Sequence, residues 1–75
     1  MALIRHLEKS NRAAKRTHKE AEATFCIVPD DGEGECLQID TFGSADREQP
    51  GKVSQSIRFS AAAVAELRLI LAQNF

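Results

Sequence analysis

The chain has no tryptophan and no tyrosine, and four phenylalanines are its whole aromatic complement. Its capacity to stack nucleobases is therefore small. It has no long hydrophobic run either. Ala2, Leu3, Ile4 and Leu7 are too few, and Arg5 and His6 interrupt them, so neither a membrane span nor a signal peptide is expected. The cytoplasm is then the expected location, where the only two cysteines, Cys26 and Cys36, stay reduced. Those thiols and the two histidines, His6 and His18, match no common zinc-ligand spacing, so no metal is expected. Paired carboxylates, a phosphate loop and a metalloprotease helix are missing. Gly32 and Gly34 sit among acids, the wrong charge for cradling phosphate. The expectation is a protein that is not an enzyme and holds no cofactor.

With 75 residues the chain forms one domain. A chain of that size buries only about 60–65% of its unfolded surface. A second subunit is an inexpensive way to enlarge so small a core. The net charge of −1 hides an asymmetry. Residues 1–19 hold six cations (Arg5, Lys9, Arg12, Lys15, Arg16, Lys19) against Glu8, a net +5. Residues 20–75 hold four cations against ten acids, a net −6. A basic arm on an acidic body suggests an anionic partner such as nucleic acid. The bland alternative is a solvated tail attracted to its own body.

Leu3, Ile4 and Leu7 share one face of a short helix over residues 2–9. Residues 12–23 favour helix by propensity. Toward the end of that stretch the period changes. Ala21, Ala23, Phe25 and Ile27 alternate with Glu20, Glu22, Thr24 and Cys26, which predicts a strand over residues 19–28. Pro29 and the acidic, Gly-containing residues 30–35 predict a turn. Centred on Asp31, it would put Cys26 opposite Cys36, within disulfide reach, although two reduced thiols remain the expectation. Further strands are predicted over residues 36–42 and 53–59, with Pro50-Gly51 turning the loop between them. Ser60 is a suitable N-cap for a helix over residues 61–74.

The expected fold is α+β: a three-stranded antiparallel sheet followed by a C-terminal helix packed on one face, with an additional N-terminal strand or helix left open. Residues 1–18 form a basic arm or short helix, and residues 19–75 form the β-β-β-α domain. The expected core is Phe25, Ile27, Leu37, Ile39, Ile57 and Phe59 against Val64, Leu67, Ile70, Leu71 and Phe75. The other side of the helix carries Ala62, Ala65, Leu69 and Ala72. A plain surface helix would be polar there, so this stripe is the expected homodimer interface.

The sheet face away from the helix is expected to carry Gln38, Asp40, Ser54, Ser56 and Arg58, with Ser44, Asp46, Arg47, Glu48 and Lys52 in the adjoining loop. Cations there suit phosphates, and amides, hydroxyls and Phe42 suit bases. Glu20, Glu22 and Asp40 share that face, however, and a cross-strand Asp40–Arg58 pair on a solvated surface would account for the same residues.

The run QIDTFGSADREQPGKVSQSIRFSAAAVAELRLIL resembles the C-terminal half of the positive-cofactor-type transcriptional coactivators and their bacterial relatives. The shared phrase is a strand, a polar loop with a basic residue and a Gly-Lys step, a short strand and a capped amphipathic helix. Arg47, Gly51, Lys52, Ile57, Ser60 and Leu67 are the matching positions. The resemblance covers about half the chain and implies a curved sheet with a C-terminal helix, dimerisation and single-stranded DNA binding. From the basic arm, the polar face and this resemblance together, Arg12, Lys15, Arg16, Lys19, Arg47, Lys52 and Arg58 are the expected contacts to single-stranded DNA or RNA. The competing class is a protein–protein interaction or adaptor module.

Overall fold

A computed structural model describes residues 1–12, 20–30, 34–42 and 53–75. Four strands form one mixed sheet: β1 (Ala2–Ile4), β2 (Glu22–Pro29), β3 (Glu35–Phe42) and β4 (Val53–Phe59). The helix α1 (Ala61–Asn74) follows. The strand order is β1-β4-β3-β2, with β2–β3 and β3–β4 antiparallel and β1 parallel to β4. The α+β class with strands followed by a packed C-terminal helix is as expected. No described helix is long and apolar enough to cross a membrane.

Residues 2–9 do not form the expected helix. Ala2–Ile4 pair with Ile57–Phe59 as a fourth strand, which gives β4 a neighbour on its otherwise open side. The local helical spacing of Leu3, Ile4 and Leu7 loses to these distant backbone bonds. Arg47, Lys52, Lys15, Arg16, Lys19 and the 43–52 loop lie outside the described residues.

The hairpin register also differs from the expectation. Cys26 lies opposite Gln38, and Cys36 lies opposite Val28, so the cysteines are not a directly opposed pair, and both are free thiols. The turn centre is one residue later than Asp31, which moves every pairing by two positions. The turn closes with Asp30 N–H donating to the Gly34 carbonyl at 2.9 Å. Gly34 has φ +90°, a conformation that a side chain strains, so its glycine is required there.

α1 begins where expected. Ser60 is buried and extended, and its hydroxyl accepts from Ala63 N–H at 3.2 Å. Its own N–H donates to the Ile4 carbonyl at 2.9 Å, so the helix start is tied to the end of β1. The helix packs against β3 and β4. Val64 and Ala61 border an open groove of about 360 Å³ with Ile27 and Leu37, on the apolar side of the sheet.

Only part of the expected core is covered. Leu37, Ile39, Ile57, Phe59, Val64 and Leu67 are half-buried. Phe25 and Ile27 are 73% and 53% exposed. They belong to β2, an edge strand, whereas α1 packs on β3 and β4 and leaves an open groove beside Ile27. From Arg68 to Phe75 every helical residue is exposed, including Ile70, Leu71 and Phe75. The last two turns are thus only partly covered, with Ile70 38% and Leu71 48% exposed.

Candidate nucleic-acid interface

The side of the sheet away from the groove carries a chain of polar contacts. Alternation along β3 and β4 puts Gln38, Asp40, Ser56 and Arg58 on one face, with Gln38 opposite Arg58 and Asp40 opposite Ser56. All four are half-buried. Asp40 and Arg58 therefore share a face in adjacent strands, but they do not pair directly. Gln38 stands between them. Its Oε1 accepts from Arg58 Nε at 3.1 Å and Nη2 at 2.6 Å, and its Nε2 donates to Asp40 Oδ1 at 3.1 Å and Oδ2 at 3.3 Å. Ser56 Oγ donates to Asp40 Oδ1. The row thus runs cation, amide, carboxylate, hydroxyl.

Of the expected nucleic-acid contacts, the structure describes Arg12 and Arg58. Arg12 is exposed, and its backbone N–H donates to Ser10 Oγ at 3.0 Å. Arg58 is fixed in the middle of the sheet. Phe42, the candidate stacking ring, is half-buried at the end of β3 and shares the polar face by alternation. Glu22 pairs with it on β2. The described face therefore balances Arg58 against Asp40 and Glu22.

Cys36 is buried near the start of β3, at the other end from Phe42. Burial pushes its thiol above the ordinary range, with the nearby Asp30 carboxylate acting in the same direction. It is a poor nucleophile in that state. Among the described residues no group of three or more His, Cys, Asp or Glu side chains could hold a metal ion.

A second polar contact ties the N-terminal segment down. Glu66 Oε2 accepts from Leu7 N–H at 2.7 Å, and His6 Nδ1 lies 2.9 Å from Glu66 Oε1. His6 Nε2 lies 3.6 Å from Glu8. These contacts fix residues 6 and 7 against the helix, immediately before the basic stretch. Sequence reading missed this strap, because nothing near Glu66 in the chain marks its partners. Gln38 was visible as a polar face residue, but its bridging position depends on the register.

Ala62, Ala65, Leu69 and Ala72 are all exposed, so the expected dimer stripe is uncovered. Comparison with protein-family models, with known proteins and with solved structures finds no match.

Proposed function

We propose that this chain is a small non-enzymatic protein that binds single-stranded nucleic acid and acts as a homodimer. The observation that supports it most is the open polar face of the sheet, with Arg58 held in place at its centre and not covered by the helix. The net charge of +5 on residues 1–19 adds an anion-seeking segment. Arg12, Lys15, Arg16 and Lys19 would contact phosphates from that segment, and Arg47 and Lys52 from the loop. The resemblance to the coactivators supports the same class of ligand and a role in transcription. The homodimer draws support from the apolar surface that one copy leaves uncovered: Phe25 and Ile27 on β2, and Leu69, Leu71 and Phe75 on the helix.

Binding that depends on phosphate contacts must weaken with salt through counterion release. Fluorescence anisotropy with a labelled single-stranded oligonucleotide at about 50 mM and about 200 mM salt is the test. Saturable binding that weakens at the higher salt is expected. No binding at tens of micromolar protein overturns the reading.

The same apolar surface favours a second reading, in which it meets a different protein and the chain is an adaptor. A stoichiometric protein partner that survives nuclease treatment, together with no oligonucleotide binding, would select it.

A further inference from the structure

We propose that Gln38 is a positioning residue that presents Arg58 to a phosphodiester oxygen of the bound strand. The proposal rests on the nucleic-acid reading above and names one of its phosphate subsites. A carboxamide has nearly the same shape when its oxygen and nitrogen are exchanged, so its orientation is set by its neighbours. Here the neighbours are decisive. Asp40 offers only acceptors to Nε2, and Arg58 offers only donors to Oε1. Ser56 donates to Asp40 and holds it in place. The amide can satisfy both sides in one orientation only.

This arrangement separates Arg58 from Asp40 by one neutral group. A direct ion pair would turn the fork of the guanidinium onto the carboxylate and neutralise it. Against Gln38, two of the five N–H donors are engaged, and among the described residues no carboxylate meets the charge directly. The three remaining donors lie on Nη1 and Nη2, and their planar fork matches two oxygens of a phosphate. The side chain is already half-buried and tied down, so little further ordering is needed when the ligand arrives.

The test compares Arg58→Ala, Gln38→Leu and Gln38→Glu with wild type in oligonucleotide affinity as a function of salt, after circular dichroism has confirmed that each variant folds. Arg58→Ala should reduce the steepness of the log–log salt dependence by about 0.7, the value for one single-strand phosphate contact. Gln38→Glu should reduce it likewise, although the arginine is still present, because the new carboxylate neutralises it. Gln38→Leu should weaken binding about threefold to tenfold and lower the slope in part, since the arginine is no longer positioned and is free to turn onto Asp40. A second readout is the Arg58 Nε–H resonance, expected to be protected in the free wild type, lost in Gln38→Leu, and shifted on titration with inorganic pyrophosphate. An unchanged slope in Arg58→Ala removes the phosphate subsite. Wild-type binding by both Gln38 variants removes the positioning role. Absence of oligonucleotide binding with a pyrophosphate shift at Arg58 overturns the nucleic-acid reading and leaves a phosphate subsite. Absence of both overturns the two together.

Discussion

Glu66 uses one carboxylate to hold two consecutive residues of the N-terminal segment. The Leu7 backbone N–H and the His6 ring keep its pKa below the ordinary 4.5, against the opposing effect of burial. A carboxylate whose pKa is lowered by folding stabilises the fold above the ordinary value and loses that contribution as the pH falls through the lowered one. Glu66→Ala should therefore lower the melting temperature at neutral pH. The gap from wild type should close as the pH falls through the lowered pKa of Glu66, where the wild-type carboxylate also protonates. Thermal melts across a pH series check this, and a gap that stays constant down to acid pH would exclude the carboxylate as its source. Ser60 and Glu66 also differ in how readable they are. The Ser60 cap is a local signal, since its hydroxyl meets an N–H three residues on. The backbone partner of Glu66 lies 59 residues away, and no local pattern announces it.

Among the elements, β4 and α1 are where the alternating and helical periods place them, at Val53–Phe59 and Ala61–Asn74. Strong periodicity with a clear cap or turn at the boundary makes such elements legible. β1 is not legible, because three residues are too short to show a period and their strand character comes from pairing with β4. The position of β2 in the sheet was also hidden. Alternation shows that Phe25 and Ile27 share a face, but not that the strand lies at the edge. The two positions should respond differently to truncation. Ile57 lies on a central strand and is half-buried, so Ile57→Ala should cost about 1–3 kcal/mol, less than a fully buried isoleucine. Ile27→Ala should cost less than about 1 kcal/mol in dilute protein, where its side chain is still largely in water. Denaturant titrations at low protein concentration compare them directly, and equal losses would contradict the exposure of β2.

At the scale of the whole molecule, one copy is a sheet with a helix covering part of one side, and its extents are 38 × 33 × 19 Å. Phe75 is 97% exposed and Leu71 48% exposed at the end of the helix. A second copy related by a two-fold axis would cover such a surface on both chains at once. Light scattering at about 100 µM should give twice the chain mass, a concentration at which even a weak micromolar dimer is formed. Leu71→Glu or Leu69→Glu should return it to the single-chain mass. A monomeric wild type, or both variants keeping the dimer mass, would remove the helix from the interface. The β1–β4 pairing has a consequence in time as well as in space. Among the described residues every other strand pair joins neighbours in the chain, but this one closes a loop of roughly 55 residues, and three residues of pairing with the Ser60–Ile4 and Glu66 contacts must offset the lost entropy. The β2–β3–β4 meander can assemble first, from nearby pieces. The first residues of the chain are then the last to join the sheet and the first to leave it, so the opening free energy of the molecule falls toward its N-terminal strand.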